Sequence, residues 1–241
     1  ALTAAKKVTG AYGGVFSINN DTATPWRFFS SLYYQLGGSV LAEDGRKIVL
    51  DEAKADKVLS FIQNLSKQEL IPASVDYPGA ITAFATGKAG FYFEGDWEIT
   101  TFETTKSPFS MTAFPNVFGG RYAVQADSHS FVLPKDAGRT DAMRQQIFVF
   151  IRSLLGQSGT WAQGGHIPAW LPFQKSAAYD KLKPASNYKH VAKYVRYDDR
   201  AWYSGSGSDF ENIMGFAIGA VSAGQMSPAA AVSDMKSRLA Q

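Results

Sequence analysis

The chain contains no cysteine. Disulfides, thiolate nucleophiles and cysteine-ligated zinc are thereby excluded, and the redox compartment is left open. No stretch approaches the ~18 consecutive apolar residues of a membrane span, so direct insertion by this segment is not expected. An excess of either charge is also lacking: 24 basic against 21 acidic residues give +3, and the longest basic runs are the pairs Lys6–Lys7 and Arg46–Lys47. A nucleic-acid footprint needs a clustered basic face, and that class is set aside. Catalytic signatures are missing as well. His129, His166 and His190 are far apart, and no H-E-x-x-H pair exists to hold zinc. No Walker lysine follows a glycine loop, no G-x-G-x-x-G opens a helix, and "GSGSD" lacks the spacing of a G-x-S-x-G elbow. Neither a cofactor nor a metal is implied. No period of about 20–50 residues repeats, which removes solenoids and propellers.

What is present is an ordinary globular balance. The 241 residues fit one large domain or two modest ones, and at 45% hydrophobic they can bury a sizeable core. Aromatics reach 14%, which serves a large core, a cleft lined with flat rings, or both. The opening "ALTAAKKVTG" reads as the last turns of a helix closed by Gly10. A chain that begins inside a helix is expected to be a fragment, and localisation is not read from such a start.

Along the chain, "GGVFSI" (13–18) is a short apolar strand. "TPWRFFSSLYYQLGG" predicts a helix with Thr24 as N-cap, Pro25 at its first position and Gly37–Gly38 as its stop. "SVLAEDGRKIVL" carries a hairpin signal around Asp44–Gly45. Asp51 caps a helix whose Val58, Ile62 and Leu65 repeat at helical spacing. A short helix, "GAITAFATG", ends at Gly87, and "AGFYF" follows as a continuous apolar strand. "SMTAF" and "SFVLP" read as strands around a turn at Gly119–Gly120, and "TDAMRQQIFVFIRSLLG" as an amphipathic helix capped by Thr140 or Asp141. Turn-rich "GGHIPAWLPF" and "AWYSGSGSD" separate it from the small-residue helix "FENIMGFAIGAVSAG" and from a last helix begun at Ser227–Pro228, with Val232, Met235 and Leu239 on one face.

Strands alternating with helices make an α/β class, in which ligands bind in the crevice outside the carboxyl ends of the strands. In "GKAGFYFEGDWEI" (87–99), "AGFYF" runs towards that crevice and Gly95 turns the chain. Asp96 is then expected to cap a helix whose first residue is Trp97, which places the tryptophan at a mouth rather than in a core.

The order of these parts resembles the family 1 extracellular solute-binding proteins of ABC transporters, the maltose-binding-protein-like group. "AFATGKAGFYFEGDW" carries the resemblance most specifically, since Phe84, Gly87, Ala89, Gly95 and Trp97 fall where that family places them. "LGGSVLAEDGRKIVLDEAKADKVLSFIQNL", "AMRQQIFVFIRSLL" with "GGHIPA", and the closing "GFAIGAVSAGQMSPAAAVSDM" extend it over nearly the whole chain. The resemblance implies a periplasmic-binding-protein-like two-lobe fold (type II) that closes over its ligand by hinge motion. It also implies that an amino-terminal segment preceding Ala1 in the family is lacking here. Residues 1–125 and 180–241 would then form most of the carboxy-terminal lobe. Residues 126–179 would cross the hinge, contribute to the amino-terminal lobe and return. The helix at 140–155 would pack on something outside 1–120 and 185–241. The implied function is non-catalytic capture of a small solute for an ABC transporter permease. The implied setting is extracellular or periplasmic, with lipoprotein anchoring through the lacking segment compatible with it.

The candidate binding residues follow. Trp97 would stack on the apolar face of a sugar, against the alternative of a ring packed on its own helix. Glu94 and Asp96 would accept from hydroxyls, although capping competes for Asp96. Trp26, one turn inside a helix after a strand, resembles the aromatic that many family members bring to the ligand; Phe29 and Leu32 beside it read as core. His166 and Trp170 flank Pro168 in an irregular loop, where functional residues concentrate. Trp202 and Tyr203 precede a flexible turn able to deliver rings to a cleft or simply to anchor a surface loop. Glu211 opens the next helix, where charge–dipole compensation alone would account for it. A sugar suits aromatic faces with scattered polar groups. A polyamine or other cation would use Trp97 and Glu94 as a cation–π and carboxylate pair. A carbohydrate-processing hydrolase would need two carboxylates across a sugar, for which Glu94 with Glu211 or Asp209 are the candidates, and a structural adhesion domain would have no cleft.

Overall fold

The computed structural model describes residues 1–240. In chain order the elements are α1 (Leu2–Thr9), β1 (Tyr12–Val15), α2 (Ala23–Gln35), α3 (Glu52–Lys67), α4 (Tyr77–Ala85), β2 (Ala89–Tyr92), a 3-10 turn (Asp96–Glu98), α5 (Ile99–Thr104) and β3 (Val124–Gln125). They continue with α6 (Asp141–Gly156), α7 (Ser158–Gln163), α8 (Leu171–Gln174), α9 (Ala177–Lys181), a 3-10 turn (Lys189–Lys193), β4 (Val195–Arg196), α10 (Asp209–Ser222) and α11 (Pro228–Leu239). The chain divides into two compact units. One comprises residues 1–94, 114–127 and 193–241, the other 95–113 and 128–192. This division differs from the expected one, because 95–113 and 180–192 associate with 128–179. Asn187 Nδ2 donates to the Met111 carbonyl at 3.1 Å and the Tyr188 hydroxyl donates to the Gly165 carbonyl, which ties those segments together.

The first unit is a layered α/β body. β1 and β2 pair in parallel, with Gly14 opposite Phe91, and β3 pairs in parallel with β4. Parallel neighbours require the intervening helices as crossovers. The core is built where α2, α3, α10 and α11 meet, from Phe29, Leu59, Ile62, Phe210, Met214 and Met235 among others. Val58 and Leu65 are buried as the 3.6-residue spacing requires. Local signals set several boundaries as expected: the Asp51 and Ser227 side chains accept from the backbone N–H groups three residues on, and Ser208 does the same for α10. The α2 cap differs. The helix begins at Ala23, and Asp21 accepts from the Ala23 and Thr24 N–H groups at 2.9 and 3.2 Å. An ionised oxygen is the stronger acceptor, so Asp21 takes the role expected of Thr24. The 39–50 segment forms the expected hairpin: an antiparallel bridge between Leu41 and Ile48 is flanked by the Ala42 N–H donating to the Lys47 carbonyl and the Val49 N–H donating to the Val40 carbonyl, each at 2.8 Å. Asp199 accepts from the Val40 and Leu41 N–H groups.

The second unit is mainly helical. Thr140 caps α6 by accepting from the Met143 N–H. No residue of α6 is buried, and Val149 and Phe150 are 70% and 61% exposed. The apolar stripe of this helix, Ile147, Ile151 and Leu155, is only partly covered. Of the two strands expected at 110–114 and 130–134, neither forms. The first segment meets the Asn187 side chain instead of a ladder, and the second leaves Phe131 and Val132 exposed. Among the described residues no helix is long and apolar enough to cross a membrane.

Candidate functional site

Two constellations of polar and aromatic side chains stand out, one in each unit. In the first unit the centre is Arg27, the one charged residue of α2. Its Nε donates to Asp127 at 3.0 Å, its Nη2 donates to Ser206 Oγ at 3.2 Å, and Nη2 lies 3.7 Å from Glu211. Glu211 is buried and accepts from the Gly207 N–H at 2.8 Å. Burial pushes its carboxyl above the usual range, against the pull of the Gly207 N–H and Arg27. Gln125 Nε2 donates to Asp127 at 3.0 Å. Asp198 completes the group, accepting from Trp26 Nε1 at 2.9 Å. At the edge of the same unit, the Thr24 hydroxyl lies 2.7 Å from Glu94 and 2.8 Å from Asp21, so one proton serves two carboxylates by turns.

Burial drives Asp198 up to about 6, with the Trp26 N–H opposing and the Asp127 charge reinforcing. Its Oδ2 makes no hydrogen bond within the protein. A carboxyl whose folded value exceeds its unfolded value near 4 favours the protonated form when folded. Its penalty is therefore absent below about pH 4, grows as pH rises through about 6, and is full above that. Asp198→Asn keeps an acceptor for Trp26 and removes the charge. It is expected to raise stability at pH 7 by about 1–2 kcal/mol and to flatten the pH dependence between 4 and 6. Urea unfolding at pH 4, 5, 6 and 7 measures this, and a profile identical to wild type would mean that Asp198 is solvated.

In the second unit the centre is the turn at 95–99. Trp97 folds back so that its ring lies over Gly95. A Cβ at 95 would stand 2.0 Å from the ring, so only glycine admits this arrangement. The ring remains 37% exposed, between half-buried Asp96 and buried Glu98. Asp96 does not cap a helix. It begins the 3-10 turn itself, and its Oδ1 pairs at 2.8 Å with Nδ1 of His166. That hydrogen bond raises the His166 pKa against the opposing effect of burial. His129 stacks on His166 at 5.8 Å and Trp161 lies tilted at 5.2 Å.

The remaining candidates divide. Trp26 is fully buried between Phe29, Tyr34 and Phe210 and has no face for a ligand, because α2 buries eleven of its thirteen residues. Glu211 is likewise enclosed. Its charge answers Arg27 and Gly207, which is a firmer tie than the helix dipole. Trp202 is 94% exposed while Tyr203 anchors the same loop through its hydroxyl on the Gly45 carbonyl at 3.2 Å. Trp170 is half-buried just before α8, and its carbonyl accepts from the Phe173 and Gln174 N–H groups. Sequence reasoning missed Arg27, Asp127, Asp198, His129 and Trp161. A lone charge inside the apolar run "PWRFFSSLYY" was the available signal for Arg27. Among the described residues no group of three His, Asp or Glu is placed to hold a metal. An open depression of about 500 Å³ lined by Leu133, Pro134, Lys135, Asp136, Ala137, Arg139 and Arg144 contains none of the candidates.

Residues 1–187 match the family model described as bacterial extracellular solute-binding protein. The chain belongs to that family. No curated protein matches it. Among solved structures, the sugar-binding protein MalE from Xanthomonas citri matches at a TM-score of 0.77 and 19% identity, over 98% of this chain and 59% of that one. The cyclic α-maltosyl-1,6-maltose binding protein from Arthrobacter globiformis matches at 0.75 and 16%, over 99% and 62%. The maltose/maltodextrin-binding domain MalE from Bdellovibrio bacteriovorus, bound to maltotriose, matches at 0.70 and 18%, over 95% and 59%. The chain thus spans about three fifths of the length of these structures, and it shares with them the two-lobe binding-protein fold.

Proposed function

We propose that this solute-binding protein captures a sugar or oligosaccharide, leaves it chemically intact, and hands it to the membrane permease of an ABC transporter outside the cytoplasm. Residues 1–94, 114–127 and 193–241 are assigned to the carboxy-terminal lobe of that system, and 95–113 with 128–192 to the other. The observation that carries the reading is Trp97, a ring backed on one side by Gly95, partly open to solvent and next to the Asp96 carboxylate. A flat apolar surface bordered by acceptors matches a pyranose, whose faces are apolar and whose rim is hydroxylated. The named ligands of the structural neighbours, maltose-type sugars, support the same class. A thermal-shift series with maltotriose tests it: a ligand at a hundred times its dissociation constant adds ~2.7 kcal/mol of stability. Recovery of the sugar unhydrolysed separates binding from a hydrolase.

A second reading is a polyamine or other cationic solute, for which the partly open Trp97 ring would supply a cation–π face. Glu94→Gln separates the two. It keeps one acceptor oxygen and removes the charge. For a sugar the loss is expected near ~1 kcal/mol and nearly independent of salt. For a cation it is larger and shrinks as salt screens the pair. Calorimetry of both proteins at low and high ionic strength reads the difference, and a wild-type affinity that collapses with salt would overturn the sugar assignment.

A further inference from the structure

The turn bearing Trp97 is fastened at both ends within its unit. On the far side, Glu98 and Ile99 are buried. On the near side everything converges on Asp96. Its carboxylate meets His166, and its carbonyl lies so close to Gly165 that a Cβ there would stand 1.9 Å from the oxygen. Gly165 has φ of 101°, a backbone conformation that glycine alone adopts easily. Its own carbonyl is held by the hydroxyl of buried Tyr188. The loop 164–166 therefore grips the backbone and the side chain of the residue next to Trp97.

We propose that His166 is the positioning residue for Trp97: through Asp96 it fixes the turn that presents the ring, and it does so most firmly as the imidazolium. The proposal rests on the solute-binding reading, in which that ring meets the sugar. Nδ1–H donates to Asp96 in the cation and in one neutral tautomer, but only the cation makes an ion pair and excludes the tautomer that lacks this donor. Three other titratable groups face the pair. His129 stacks on His166 with ring centroids 5.8 Å apart. Tyr179 and Tyr188, whose hydroxyls burial keeps neutral well beyond pH 9, lie near Asp96. Because Asp96 raises the imidazole above its ordinary value near 6.5, the added hold of the cation is complete below that value and is lost as pH rises through the raised one.

The test follows maltotriose affinity from pH 5 to 9 in wild type, His166→Asn and Asp96→Asn. In parallel, acrylamide quenching of Trp97 is read without ligand as the difference between each protein and its Trp97→Phe partner. Wild-type affinity is expected to fall about three- to tenfold across the transition, the range of a partly exposed charged hydrogen bond. His166→Asn retains an N–H near the Nδ1 position but cannot titrate. It should bind at the weaker, alkaline affinity with no step, and Asp96→Asn should move the step to lower pH. Without ligand, Trp97 should become more quenchable through the same window in wild type and stay constant in His166→Asn. A step that persists in His166→Asn, or Trp97 quenching that is flat with pH in wild type, overturns the proposal. If maltotriose fails to bind at every pH the sugar reading falls, and the ligand-free quenching still decides the positioning role by these outcomes.

Discussion

Trp26→Ala is expected to lower the unfolding free energy by ~3–5 kcal/mol, the range for truncating a fully buried aromatic. The ring packs edge-on to Phe210 with centroids 5.1 Å apart and to Tyr34 at 6.5 Å, and it lies 6.0 Å from Phe29. Alanine leaves a cavity where α2 and α10 meet. It also removes the donor to Asp198, whose other oxygen has no hydrogen-bond partner within the protein, and an unmet buried acceptor adds its own cost. Trp26→Phe should recover much of the packing but none of that hydrogen bond, and should fall between wild type and alanine. Denaturant melts give all three. A ligand-facing tryptophan would behave oppositely, with little change in the melt and a large loss of affinity, and that outcome would return Trp26 to the binding surface.

Trp97→Ala should divide the other way. Loss of the ring is expected to weaken sugar binding by ~1–3 kcal/mol, roughly five- to 150-fold, with the melting midpoint nearly unchanged. The ring is partly solvated already, and beneath it lies Gly95 rather than a packed core, so truncation opens no enclosed cavity. Trp97→Phe should retain part of the affinity, since a smaller ring still offers a flat face. Unfolding of Trp97→Ala with a core-sized loss would show that the ring is a structural cover for the turn.

The contrast between these two tryptophans marks how far the residues alone could be read. Caps and stops are local, and Asp51, Thr140, Ser227 and Gly87 fall where short-range rules place them. The exposed turn at Trp97 was legible for the same reason, because the glycine that admits the ring stands two residues before it. Trp26 was not. On a helix buried nearly all round, periodicity cannot say which face is open, and the partner that explains the indole, Asp198, is 172 residues away. Asp96 failed similarly: a local rule predicted a cap, and an imidazole 70 residues on outcompeted it. The apolar runs at 110–114 and 130–134 had the composition of strands but no neighbour to pair with, and a ladder needs two sides.

The first unit is stitched from three separate stretches of chain, and its core joins α2 and α3 near the beginning to α10 and α11 at the end. During synthesis, therefore, the early helices leave the ribosome with their largest apolar faces uncovered. They must wait until α10 and α11, residues 209–239, have emerged, some seconds to tens of seconds after α3 at about 5–20 residues per second. Closing such long loops is slow compared with joining sequence neighbours. A chain interrupted anywhere before residue 209 lacks the α10 and α11 face of that core.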